Sequence, residues 1–430
     1  MKTVLAIILS LICWRASAQS YHDPVSETTF SVTEVMFHDV INPPAAARFY
    51  AYALLSGYET FYGYSKKNEG KKIAIFPIAM LPAEEVNAEF ASLYAMLETG
   101  RQMVPSGFLL EEKQQLLQKR YEQAGVKKTT IEGSIRYATL ISDAVVKFSK
   151  QDGYFKLSTR QRYKPFPGRS YWLPTAPEYM AAVEPHWNTI RPFLIDSAGQ
   201  FPPVAATVFD SSASSAFISL ATEVYTATKN LTKEQELIAN FWDCNPFAVQ
   251  YRGHMSIGLK KISPGGHWMG ITGIAVTKEK AGFEKSIFVH TLMALTLHDA
   301  FLSCWQAKYL THRMRPETAI NRWIDPKWKP LLQTPPFPEY TSGHSVVSSA
   351  AAEILTSLFG DDFAFSDSTE TYIGLPARNF PSFRAAAEEA CISRLYGGIH
   401  FRDGIEHGAV QGRAIAAYIR AKLGLLTPFP

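Results

Sequence analysis

Helical periodicity runs along nearly the whole chain, and it is most demanding in one stretch, Phe288-Val-His-Thr-Leu-Met-Ala-Leu-Thr-Leu-His298-Asp299. The candidate helix around it spans about Ala281 to Arg313, and so apolar a segment has to be buried on every side. His290, His298 and Asp299 interrupt it, which favours the centre of a helical bundle over a membrane span. The rest of the chain supplies the partners. Helical spacing marks Val32 to Tyr62, with a break expected at Pro43-Pro44, then Pro82 to Leu97, Gly107 to Ala124 and Thr129 to Lys147. It returns near Ala213 and at Thr232 to Asp243, Ser345 to Phe359, Ser382 to Tyr396 and about Gly404 to Leu423. Ser263-Pro-Gly-Gly266 reads as a plain turn. No segment shows sustained alternation, so the fold class is all-α, built from helical bundles.

A chain of 430 residues calls for two packed units or one large elaborated domain. A soft boundary divides an N-terminal helical region, 19–215, from a C-terminal bundle, 216–430. Within the first lies Gln151 to Pro203, rich in Pro, Gly, Tyr and Trp, which reads as an ordered irregular excursion because its aromatics need somewhere to pack. Residues 1–18 have the form of a signal peptide: Lys2, an apolar run from Val4 to Trp14, and Ala16-Ser17-Ala18 before Gln19. Cleavage near Ala18 implies a secreted or periplasmic protein. Lys2 and Arg15 carry two of the net +4 charges, so nothing in the charge balance points to nucleic acid or a membrane surface. Beyond the leader stand three widely spaced cysteines, Cys244, Cys304 and Cys391, each in an apolar context. They read as core thiols and not as a disulfide framework or metal site.

Three short segments near the C-terminus carry chemistry: Lys308 to Pro316, Thr341-Ser-Gly-His344, and Ser393-Arg394 through His400. Together they offer one lysine, two arginines, a serine hydroxyl, a glycine amide and two histidines, an inventory suited to a tetrahedral or trigonal-bipyramidal oxyanion. Lys308 and Arg315, seven apart, would share one helical face, with Pro316 bending or ending that helix. Ser342 and Gly343 would present backbone N–H groups at a helix start. Gly397-Gly398 would break a helix so that Arg394 and His400 both turn inward. Each segment alone has a plain alternative: a solvated charged face, an ordinary N-cap, a structural histidine.

Lys-x6-Arg-Pro, Ser-Gly-His and Ser-Arg-x5-His in this order resemble the signature shared by type 2 phosphatidic acid phosphatases, bacterial non-specific acid phosphatases and vanadium-dependent haloperoxidases. The resemblance covers Lys308 to Arg402 and implies a helical-bundle fold. By matching position it implies that Lys308, Arg315, Ser342, Gly343 and Arg394 hold the anion's equatorial oxygens. In a phosphatase His400 would attack phosphorus and His344 would protonate the leaving group. In a haloperoxidase His400 would be the axial vanadium ligand, His344 the acid–base, and Lys308 would polarise bound peroxide for attack by halide.

The flanks favour the haloperoxidase, with vanadate as cofactor (phosphate fits the same site) and hydrogen peroxide and halide as substrates. Pro335-Pro-Phe-Pro-Glu-Tyr-Thr-Ser-Gly-His344 is similar to a run in vanadium chloroperoxidases, placing Phe337 and Trp305 at halide-pocket positions. The alternatives are a secreted acid phosphatase and, from a different class, an oxyanion-binding protein without turnover. Two departures stand out. Thr341 replaces the usual proline, and Gly404 occupies the position where the family often has an aspartate behind the last histidine. Asp403, Glu406 and Asp299 are therefore the acids expected to orient His400, with Asp299 also a possible partner of Arg394. His254, His267 and His312 match no part of the motif and read as structural. Halide preference, organic acceptor and oligomeric state have no signature in this sequence.

Overall fold

The computed structural model describes residues 23–64, 73–75, 84–252, 255–258 and 260–425; the expected leader and His254 lie outside them. The chain opens with α1 (Pro24–His38), capped by the Asp23 carboxylate, which accepts from the Ser26 amide at 2.7 Å. Next comes α2 (Pro43–Tyr64), which starts on the Pro43-Pro44 pair, so the expected break falls just before it. Then follow α3 (Ala88–Met103), α4 (Leu110–Gln123) and α5 (Lys128–Ser149). After the excursion come α6 (Ala216–Lys229), α7 (Lys233–Phe241), α8 (Pro264–Lys278) and α9 (Phe283–Thr311). The last four are α10 (Pro316–Trp323), α11 (Gly343–Phe359), α12 (Phe383–Tyr396) and α13 (Arg402–Lys422). Sheet among the described residues is confined to two antiparallel pairs. One joins β1 (Val249–Arg252) to β2 (Met255–Gly258), the other β3 (Phe365–Asp367) to β4 (Arg378–Phe380).

The helix α9 is the hub. It packs on α2, α8 and α11 and is buried along almost its whole length. By length and composition it could cross a membrane, but here other helices cover it. One continuous core runs through both halves, from Val25 to Leu425. On the C-terminal side α11 lies between α9, α12 and α13. Its crossing with α13 is close because Gly412 carries no side chain: an added Cβ would collide with the Val346 carbonyl.

The excursion is ordered, as its aromatics required. Trp172 and Trp187 are fully buried. The amides of Phe193, Leu194 and Ile195 all donate to the Asp299 carboxylate at 2.6–2.9 Å. Asp299 thus anchors this loop to α9, and neither orients His400 nor pairs with Arg394.

Two local expectations are corrected. Ser263-Pro-Gly-Gly266 is a helix start: Ser263 caps α8 by accepting from the Gly266 amide, with Pro264 in the first turn. The helix carrying Lys308 stops at Thr311, where His312 takes a left-handed conformation with φ of 48°. Lys308 and Arg315 are therefore not on one helical face. Arg315 is the N-cap of α10, and Pro316 begins that helix.

Candidate active site

The four segments that build the site are the end of α9, the loop from Pro335 into α11, the turn between α12 and α13, and the chain just after α7. The turn between α12 and α13 folds back because Gly398 adopts φ of 75°. Its crowded surroundings, the ring of Trp328 and Pro330, leave little room for a side chain there. Arg394 and His400 accordingly both point inward and line one cavity with His344, Gly343, Trp305 and Phe337.

His400 sits between two charged partners. Arg315 Nη1 lies 3.0 Å from Nε2, and a guanidinium can only donate, so Nε2 carries the lone pair and Nδ1 the proton. Nδ1–H therefore donates to Glu339 Oε1 at 2.8 Å. Burial, then the nearby positive charge of Arg315, Lys308 and Arg394, holds His400 well below the usual imidazole range. It is a neutral imidazole with its nucleophilic nitrogen toward the arginine side.

Glu339 is the acid that sequence reasoning missed. Besides His400, its Oε1 accepts from the Phe401 amide at 3.3 Å, and Oε2 lies 3.2 Å from Arg313 Nη1. Burial pushes it up to about 7, opposed mainly by Arg313. Asp403, expected in this role, turns to Arg313 at 2.8 Å and to the Thr207 amide at 3.0 Å. Glu406 pairs with Arg402, at 3.6 Å on the surface. The clue was in the departure itself: an added Cβ at Gly404 would collide with Glu339 Oε1. The carboxylate comes from the loop, and the glycine makes room for it.

The anion-holding candidates divide into those facing the cavity and one beneath it. Arg394 donates through Nη2 to the Trp242 carbonyl at 2.7 Å and through Nε to Ser393 Oγ at 2.9 Å, which fixes its guanidinium. Ser342 caps α11, its Oγ accepting from Ser345 N–H and Oγ–H at 3.3 and 2.9 Å. Its own hydroxyl proton stays free to donate. The amides of Gly343 and His344 open the helix and have no intrahelical acceptor. Lys308 is the exception: its Nζ donates to the carbonyls of Pro338, Glu339 and Thr341 at 3.1, 3.0 and 2.6 Å. Those three acceptors use its three protons, and burial lowers it to about 8. Here Lys308 stitches the loop from below, and an anion oxygen would have to displace a carbonyl.

Two buried polar atoms in this group lack a partner among the described residues, Arg315 Nη2 and His344 Nε2. His344 is kept neutral first by burial and then by the charge of Arg394. Uncompensated cations, an unpaired guanidinium N–H and free helix-start amides make a set of donors without an acceptor, which is what a bound oxyanion completes.

Trp305 and Phe337 meet at 5.0 Å between ring centroids. Lys308 Nζ and Arg315 Cζ lie 5.1 and 5.0 Å from the Phe337 centroid. The Trp305 indole N–H is spent on the Val183 carbonyl at 3.3 Å, so only its ring serves the cavity. His312 bonds the Tyr163 hydroxyl at 2.9 Å, away from the site.

Residues 288–424 match the family described as the VCPO second helical-bundle domain. Among solved structures, the chain resembles a bacterial vanadium-dependent iodoperoxidase with 39% identity and a TM-score of 0.84, over 93% of this chain and 96% of that one. Holo- and apo-type bacterial vanadium-dependent chloroperoxidases share the fold at 14% and 15% identity, each with a TM-score of 0.65. They cover 90% and 89% of this chain and 92% and 95% of theirs. No curated protein sequence matched. Taken with the site geometry, the likeness to the iodoperoxidase over nearly the full length of both chains establishes that this chain belongs to the vanadium-dependent haloperoxidases.

Proposed function

We propose that the protein uses vanadate at this site to oxidise halide with hydrogen peroxide, yielding hypohalous acid, and that iodide is a substrate. The carrying observation is the donor set without an acceptor, centred on the buried, unpartnered Arg315 Nη2, with the unpaired His344 Nε2 beside it as a proton acceptor. The iodide assignment is supported by the 39% identity with an iodoperoxidase.

The residues that would hold vanadate are Arg315, Arg394, Ser342 and the amides of Gly343 and His344, with Lys308 contributing if it exchanges a carbonyl, and His400 Nε2 as the nitrogen ligand. Bound there, vanadate supplies the Lewis acidity that activates peroxide for two-electron transfer. The protein's own part follows from the contacts. Glu339 fixes the His400 tautomer by accepting from Nδ1–H, keeping Nε2 directed into the site. His344, neutral and with Nε2 unpaired, can take a proton from incoming peroxide and return it later. The edge of Phe337, backed by Lys308 and Arg315, gives a dry and electropositive wall suited to a weakly hydrated halide. The leader's form supports export before action, and N-terminal sequencing of the exported protein should then begin at Gln19.

The deciding experiment loads purified protein with orthovanadate and follows iodide and bromide oxidation by hydrogen peroxide. Oxidation should require vanadate and disappear in His400→Ala. Vanadate-free protein is assayed in parallel on an aryl phosphate. Ester hydrolysis inhibited by vanadate, with no halide oxidation, would replace this reading by a phosphatase. Anion binding without either turnover would leave a binding protein.

A further inference from the structure

Cys244 lines the same cavity as His344 and Arg394, and its thiol also belongs to a second cluster. Cys244 Sγ lies 3.4 Å from His267 Nδ1 and 4.0 Å from Glu370 Oε1, and Nδ1 lies 3.2 Å from that same oxygen. All three side chains are buried. They come from three separate places: the turn after α7, the first turn of α8, and the connection between β3 and β4. No local spacing motif could have announced them.

The other face of His267 is fixed. Its Nε2 lies 2.7 Å from Asp367 Oδ2, and Asp367 Oδ1 accepts from the Thr369 amide and hydroxyl at 3.0 and 2.6 Å. Asp367 is thereby held as an acceptor for Nε2–H and leaves Nδ1 facing Cys244 and Glu370. A carboxylate behind a histidine is the usual support of a metal-ligating imidazole. The Trp242 ring stacks on His267 at 4.5 Å and 16°, closing that side to water.

The spacing also suits a metal. Sulfur, nitrogen and oxygen ligands around tetrahedral zinc stand about 3.3 to 3.6 Å apart. The three observed separations fall within a few tenths of an ångström of that range. Hydrogen bonds join these atoms only in pairs and leave the thiol 4.0 Å from the carboxylate, whereas one cation serves all three atoms.

We propose that Cys244, His267 and Glu370 bind a zinc ion, with Asp367 orienting His267. Metal binding forms the sulfur–zinc bond as the thiol proton passes to solvent. The ion ties α8 and the β3–β4 connection to the chain after α7, whose Trp242 carbonyl holds Arg394. The proposal is independent of the halide-oxidation reading.

The test uses untagged, vanadate-free full chain purified from zinc-supplemented medium, with zinc counted by elemental analysis. One zinc per chain is expected, and cobalt exchange should give an ultraviolet thiolate-to-cobalt band that disappears in Cys244→Ser. Asp367→Asn should weaken zinc binding by about 10- to 100-fold. X-ray absorption on the wild-type zinc protein, which needs no variant to fold, should read one sulfur per zinc. Less than stoichiometric metal even with excess zinc, a cobalt band that survives Cys244→Ser, or zinc without a sulfur neighbour would each overturn the proposal. The cluster would then be an imidazolium held between two carboxylates.

Discussion

Two buried arginines, one in each half of the molecule, show how a structural charge differs from a functional one. Arg48 in α2 is met by a full counter-charge: its Nε lies 2.6 Å from Asp152 Oδ2, and its Nη2 donates to the Ser149 carbonyl at 3.1 Å. The Tyr154 ring covers its guanidinium at 4.2 Å, and the Tyr52 hydroxyl donates to the same carboxylate at 3.0 Å. Arg315 is as deeply buried but has only neutral partners, the Phe337 and Ile399 carbonyls and His400 Nε2, with Nη2 left over. Burial accordingly lowers Arg315 to about 10. Unpaired N–H atoms do not by themselves mark a site. Arg313 leaves Nε and Nη2 unbonded, yet Glu339 and Asp403 meet its charge. The distinguishing feature of Arg315 is a charge with no carboxylate in contact among the described residues, since Glu339 acts on it only from beyond His400.

The largest effect is expected where a complete pair is broken. Asp152→Asn should destabilise the fold by about 3 to 5 kcal/mol, because Arg48 is left buried and uncompensated. Chemical denaturation reads this as a lower midpoint, while turnover per folded molecule should stay at the wild-type value. Loss of turnover in the folded fraction would mean that the two halves are not separable in this way.

On the functional side the ranking reverses. His344→Ala should cut halide oxidation by about 10²- to 10⁴-fold. It removes the unpartnered Nε2 together with a bond to the Trp242 backbone, so the denaturation midpoint should fall far less than in Asp152→Asn. Arg315→Met tests the missing counter-charge directly. Without anion the variant should be at least as stable as wild type, since an uncompensated buried cation has been replaced by an apolar chain. Vanadate at 100 times its dissociation constant should stabilise wild type by about 2.7 kcal/mol, and the same concentration should do far less for the variant. A variant that is much less stable without vanadate would place Arg315 with Arg48, as scaffolding.

The same contrast explains what could be read from the sequence. The bundle was legible because helical periodicity and the apolar run of α9 are local facts about the chain. Lys308, Arg315, Ser342, Gly343, Arg394 and His400 were legible as a set because motif order survives without coordinates. The division of labour among them was not. Lys308 turns to three loop carbonyls, and Arg315 leaves its face because the helix stops at His312, a left-handed residue that no periodicity predicts. Ser263 looked like part of a turn because Pro and Gly serve helix starts as well as turns, and only the cap bond distinguishes the two. Asp403 and Asp299 were nominated by closeness in sequence and by chemistry, but each is committed elsewhere, to Arg313 and to the amides of residues 193–195. Glu339 stood in plain view inside the Pro335–His344 run. Its partner His400 is 61 positions away, and only the three-dimensional crowding against Gly404 connects them.

Glu339 also gives the smallest and most specific break in the comparison, because it serves Arg313 as structure and His400 as chemistry. Burial raises its carboxyl from the ordinary 4.5 to about 7 in the folded protein. The folded state therefore holds this proton more tightly than the unfolded chain does. The stabilisation linked to it is complete below about pH 4.5 and is lost as the pH climbs through 7. Glu339→Gln keeps an acceptor for Nδ1–H of His400 but cannot titrate. The difference in stability between wild type and variant should change by about 3 kcal/mol across that window, read from urea midpoints on either side of it. Vanadate affinity should fall by about 10- to 100-fold, since the histidine loses a charged support while keeping its orientation. Gly404→Asp alone should not restore it, because the new side chain enters the space Glu339 fills. Lost affinity with an unchanged pH slope would leave Glu339 as a support of His400 without a raised carboxyl, and a lost slope with unchanged affinity would leave it a buried acid that His400 does not need.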